Sequence, residues 1–129
     1  MVAIDTNVLV RFLVRDHEVQ FKAAYKCFQN QDIYIPDSVI QETEWVLRFA
    51  YEYTPKEIST AFRQVFGLRN VTVDDPRRLA KVLAWHEKGL DFSDALHLSV
   101  SEHLPSLLSF DERFGRRAKG LSACSVVAP

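Results

Sequence analysis

Val2-Ala3-Ile4-Asp5-Thr6-Asn7-Val8-Leu9 is the stretch on which the fold turns. Val2-Ala3-Ile4 is too short for much except a buried strand. Val8 to Val14 reads as a helix, with Val8, Leu9, Phe12 and Leu13 at i, i+1, i+4 and i+5. Asp5 therefore stands where the first strand stops and the first helix begins. In an open α/β sheet that edge, at the carboxyl ends of the strands, is where ligands bind. Two readings of Asp5 stand at this point: an ordinary helix N-cap, since Asp, Thr and Asn all favour the turn before a helix, or a ligand-binding acid. Three further acids in comparable places weigh toward the second.

Outward from this stretch, Arg15-Asp16-His17 makes a short turn and Glu18 to Asn30 a second helix, with Val19, Ala23, Cys27 and Phe28 roughly on one face. Ile33-Tyr34-Ile35 is a brief strand stopped by Pro36, which opens a third helix at a favoured position. That helix runs from about Asp37 to Tyr53, and Gln41, Glu44, Arg48 and Glu52 form a polar stripe along it. Glu44 and Arg48 make a favourable i,i+4 pair, so Glu44 is expected on the solvated surface. Glu42 instead has Val39, Trp45 and Val46 as helical neighbours. A carboxylate on such an apolar flank must be neutralised, paired or bound to a cation.

Thr54-Pro55-Lys56-Glu57 is a capping box opening a fourth helix to about Phe66. Val71-Thr72-Val73 reads as a strand, and Asp75-Pro76 starts a fifth helix that carries Leu79, Val82, Leu83 and Trp85 and ends near Lys88-Gly89. Asp91 caps a sixth helix, with Asp94 three residues later, and Pro105 stops it. Leu107-Leu108-Ser109-Phe110 is a strand ending at Asp111, Glu112 to about Lys119 a short basic helix, and Ser125-Val126-Val127 the last strand. The alternation predicts an α/β fold of three layers, with a central, mostly parallel sheet of four to five strands flanked by about seven helices.

At 129 residues the whole chain is expected to form a single domain, residues 1–129. An apolar share of 47% with four glycines and five prolines excludes a disordered chain. The formal charge of −1 provides no overall positive field for nucleic acid, so a polyanion would be held by clustered basic residues or a metal. Cys27 and Cys124 belong to no C-x-x-C pair and read as reduced cysteines of a cytoplasmic protein. Asp5, Arg11, Arg15 and Asp16 interrupt the apolar N-terminus before it could serve as a signal peptide or membrane span.

The acids of interest are then Asp5, Glu42, Asp94 and Asp111, with Asp91 beside them. Asp5 and Asp111 each follow a strand, and parallel strands end at one sheet edge. Glu42 and Asp94 each lie early in a helix. Converged in one pocket, four carboxylates would repel one another until a cation enters. Hard oxygen ligands without a Cys/His cluster suit Mg²⁺ or Mn²⁺, not zinc.

The chain closely resembles a PIN-domain ribonuclease, specifically the VapC toxins of VapBC toxin–antitoxin pairs. The residues that carry the resemblance are Ile4-Asp5-Thr6-Asn7-Val8-Leu9, then Glu42 with Trp45-Val46-Leu47, then Asp91-Phe92-Ser93-Asp94-Ala95-Leu96-His97-Leu98, and last Ser109-Phe110-Asp111-Glu112-Arg113-Phe114. These blocks stand in the family's order and span nearly the whole chain. The resemblance implies that Asp5, Glu42, Asp94 and Asp111 are the catalytic, metal-holding acids, with Asp91 auxiliary and one or two ions per site. It makes Thr6 and Asn7 supporting polar residues that orient Asp5 or touch the scissile phosphate. Ser93 and Ser109 stand where such proteins often have alanine and threonine. The implied activity is hydrolysis of single-stranded or looped RNA, in tRNA or a ribosomal RNA loop, leaving a 5′-phosphate and a 3′-hydroxyl. The implied partners are a VapB-like antitoxin and a second copy of the chain in a homodimer.

Arg113, Arg116, Arg117 and Lys119 form the densest basic patch. It reads either as a solvated helix end complementing the dipole or as a grip on RNA phosphates, with Arg11 and Arg15 weaker candidates of the same kind. His97 reads as a packed or surface residue, because the acids already suit a hard cation. Trp45, Phe49, Tyr51, Tyr53, Phe62 and Phe66 load one helical hairpin with aromatics, most of them expected in the core and the remainder a candidate interface. A phosphoacceptor receiver domain would want paired acids after the first strand, where Asp5 stands alone. A PIN domain of RNA processing, or one that only binds, is the closer rival.

Overall fold

A computed structural model describes residues Met1–Pro129. The chain falls into two compact units, Met1–Asp74 and Asp75–Pro129.

In the first unit the order is β1 (Val2–Ala3), α1 (Thr6–Val14), α2 (Glu18–Asn30), β2 (Ile33–Tyr34), α3 (Asp37–Ala50), α4 (Pro55–Phe66) and β3 (Val71–Thr72). The strands form one parallel ladder in the order β1-β2-β3, with Val2 opposite Ile33 and Ile33 opposite Val71. Because the strands are parallel, Asp5, Pro36 and Val73 follow their ends along one edge. Ile33, Ile35, Ile40, Leu47, Ile58 and Phe62 are fully buried and make the core. The Thr54 capping box is formed, its hydroxyl accepting from the Glu57 N–H at 3.2 Å while Glu57 accepts from the Thr54 N–H at 3.0 Å.

The rotation of α3 about its axis differs from the sequence expectation. Its core face is Ile40, Thr43, Glu44 and Leu47, and Glu44 is only 1% exposed. Arg48 makes this tolerable, donating to Glu44 from Nε at 2.8 Å and from Nη2 at 3.3 Å. A charge-neutralising bidentate pair lets a carboxylate lie on a buried face that it would otherwise avoid. Glu42, expected on an apolar flank, is exposed. Trp45 and Phe49 are turned outward, 56% and 58% exposed, and pack on each other with ring centres 4.9 Å apart. Of the six hairpin aromatics, only Phe62 is fully buried, with Tyr51, Tyr53 and Phe66 at intermediate depth. In α2 the buried positions are Ala24 and Phe28, Phe28 stacking on Phe12 at 3.9 Å, while Val19 is exposed.

The second unit contains α5 (Pro76–Glu87), α6 (Phe92–Val100), β4 (Ser106–Leu108), α7 (Glu112–Ala118) and β5 (Ser125–Val127). β4 and β5 pair in parallel, Leu107 opposite Val126, with α7 as the crossover between them. Leu79, Val82, Leu83, Phe92, Ala95 and Leu98 hold α5 against α6. Gly89, at φ 108°, makes the turn between these helices, and its carbonyl accepts from Arg117 Nη1 at 2.9 Å. Seven helices and five strands, every strand pairing parallel, make this an α/β fold, its strands hydrogen-bonded in two separate ladders. No helix is long and apolar enough to cross a membrane, and both cysteines are free.

Candidate active site

Asp5 lies two residues past the end of β1 and is the N-cap of α1, its Oδ1 accepting from the Thr6 N–H at 2.7 Å. The buried Thr6 hydroxyl donates to Glu42 Oε1, across from α3. Thr6 thus holds two carboxylates, Asp5 through its backbone and Glu42 through its side chain. Both acids remain exposed, so their other oxygens face outward from a fixed base. Asn7 is exposed and its amide makes no hydrogen bond. Thr6, expected to orient Asp5 or touch phosphate, also reaches the second carboxylate. The bond to Glu42, which is distant in sequence, had no local signal.

The second unit holds the other acids. Asp91 caps α6, its Oδ2 accepting from the Asp94 N–H at 3.2 Å, which places the Asp94 backbone. Asp111 caps α7, its Oδ1 accepting from the N–H groups of Arg113 at 3.0 Å and Phe114 at 3.1 Å. The Ser109 hydroxyl accepts from the Asp111 N–H at 3.0 Å and shapes the turn into that cap. Asp94, Asp111, Ser109 and His97 line one open cavity of about 500 Å³. Partial burial raises the pKa of the Asp94 carboxyl, the charges of Asp91 and Asp111 raise it further, and His97 works the other way. His97 is exposed on the rim, not packed.

No three acidic, His or Cys side chains converge closely enough to make a metal cage. The acidic side chains nevertheless suit a hard divalent ion as oxygen donors, and burial together with the charges of Asp91 and Asp111 already disfavours ionisation of Asp94. The basic residues divide by engagement. Arg113 and Lys119 are exposed without a side-chain partner, Arg116 reaches Glu112 at 4.0 Å, and Arg117 is committed to Gly89. Arg11 is held by Asp16 at 2.8 Å, Gln20 at 2.7 Å and the Tyr51 hydroxyl at 3.2 Å. Arg15 lies over the Phe21 ring at 4.8 Å.

No curated protein and no solved structure matches the chain. The family model for the PIN domain matches residues 2–120, nearly the full length. With an acid after β1, an acid on α3 and two acids converging on one cavity beside α6 and α7, the chain belongs to the PIN-domain family, whose members are generally metal-dependent nucleases.

Proposed function

We propose that this protein is a Mg²⁺- or Mn²⁺-dependent endoribonuclease, the VapC-like toxin of a toxin–antitoxin pair, with its two units acting as one PIN domain in the cytoplasm. The observation that carries the reading is the way each unit organises its acids. Thr6 fixes Asp5 and Glu42, and one cavity gathers Asp94 and Asp111. A divalent ion, one or two per site, supplies charge neutralisation on the phosphate and activation of water. Asp5, Glu42, Asp94 and Asp111 hold it, and Asp91 sets the position of Asp94. Asn7, with its free amide, contacts the scissile phosphate. Arg113 and Lys119, the uncommitted cations, track the RNA backbone beside Asp111.

In this reading the substrate is tRNA or a ribosomal RNA loop, and its cleavage stops translation. A second copy and a VapB-like antitoxin are the partners. The outward pair Trp45 and Phe49 is the apolar surface offered to them. Induced expression should arrest growth, Asp111→Asn should not, and co-expression of a small reading frame adjoining the gene should restore growth. A folded, active nuclease that leaves growth unaffected would instead belong to RNA processing.

A further inference from the structure

An open cavity of about 640 Å³ lies between β1, α1 and α2, and Asp5 forms part of its wall. Ala3, Ile4, Val8 and Ala24 give it an apolar lining, and the Ala23 and Cys27 positions of α2 face the same space. This accounts for Ala23 and Cys27 of the α2 stripe, which are apolar without belonging to the core. Its volume is within the usual range for small-ligand sites, roughly 300–1,000 Å³.

Apart from the Asp5 carboxylate at its edge, the polar groups at the cavity are neutral in effect. Arg11 lines it, but its charge is met by Asp16 at 2.8 Å. Gln20 accepts from Arg11 Nε through Oε1 at 2.7 Å. Arginine can only donate, so this bond fixes the amide orientation and leaves the Gln20 NH₂ as a donor without a partner. Asn7 contributes a second amide with neither end bonded. Apolar walls, an oriented amide donor and no net positive charge suit an uncharged planar heterocycle better than a second phosphate.

We propose that this cavity is a nucleobase subsite, holding the base of a nucleotide adjacent to the scissile phosphate. Gln20 is its specificity-determining residue, donating to a ring carbonyl or ring nitrogen of that base. The proposal rests on the ribonuclease reading, because only a phosphodiester at Asp5 places a base beside it.

Two experiments separate the subsite from the nuclease. In the first, the metal-free wild-type protein is titrated with the four ribonucleoside 5′-monophosphates and its amide NMR spectrum followed. At least one should shift the amides of Ala3, Gln20, Ala23 and Ala24, and Ala23→Trp, which fills the cavity from an exposed helix position, should abolish those shifts. In the second, cleavage of a single-stranded RNA is compared with that of the same RNA carrying an abasic ribose at each position flanking its mapped cut. Ala23→Trp and Gln20→Leu should each cut the natural RNA at least tenfold more slowly, by raising KM. They should cut the RNA abasic at the bound position as fast as wild type does. Shifts confined to other residues, or equal losses on natural and abasic RNA, would overturn the subsite. A wild-type protein that cleaves no RNA but shows the predicted shifts would overturn the nuclease reading, and with it the placement beside a scissile phosphate, while leaving the cavity as a nucleotide-binding site.

Discussion

Thr6→Val removes one hydroxyl and keeps the shape of a buried side chain. Thr6 is 7% exposed, and its Oγ1 donates to Glu42 while its N–H donates to Asp5. Valine preserves the second bond and deletes the first. Glu42 is exposed, so water replaces the lost donor, and the stability cost stays near that of one hydrogen bond, about 1 kcal/mol. The larger effect is on position. Groups that orient metal-binding carboxylates typically contribute roughly 10- to 100-fold in metal affinity or activity. The expectation is therefore a Mn²⁺ midpoint raised by about that factor in a cleavage titration, with kcat largely recovered at saturating metal. Thr6→Ser, which retains the hydroxyl, should lie near wild type. An unchanged midpoint in Thr6→Val, with a melting temperature within a few degrees of wild type, would refute the claim that Thr6 places Glu42 for the ion.

Arg48→Ala strands the buried Glu44 carboxylate and should lower stability in urea unfolding by about 2–4 kcal/mol, somewhat discounted from a fully buried pair because Arg48 is partly exposed. Glu44→Leu combined with Arg48→Leu should recover most of that loss. Gly89→Ala should cost about 1–3 kcal/mol, since its φ of 108° disfavours a side chain and the new Cβ would lie 2.5 Å from Arg117 Nη1. Asp94→Asn should raise the melting temperature of the metal-free protein at neutral pH while abolishing cleavage. The sign follows from linkage: the folded carboxyl titrates above its unfolded value, so ionised Asp94 costs stability above its raised folded pKa. The gain should shrink as pH falls toward the unfolded value of roughly 3.9, where both states are protonated, and an unchanged or lower melting temperature at neutral pH would contradict it.

The element order was legible because its punctuation is local. Pro36, Pro55 and Pro76 stand at helix starts, and Asp5, Thr54, Asp75, Asp91 and Asp111 all cap helices, whereas Pro105 does not stop α6, which already ends at Val100 with Ser101 as its C-cap. The same local chemistry exposed four of the five acids, which stand at strand ends or in the first turns of helices. The rotation of α3 was not legible. Hydrophobicity ranks Trp45 inward and Glu44 outward, but the Glu44–Arg48 pair carries a charge onto the core face and leaves the indole outside. The same limit hid the link from Thr6 to Glu42, which depends on how α3 packs against α1.

The most direct test is incubation of total cellular RNA with the purified protein, free of any antitoxin, in Mg²⁺ or Mn²⁺, beside EDTA and Asp5→Asn controls. The account predicts discrete fragments with 5′-phosphate ends that vanish in both controls. Intact RNA after incubation with the folded, metal-supplied protein would contradict it.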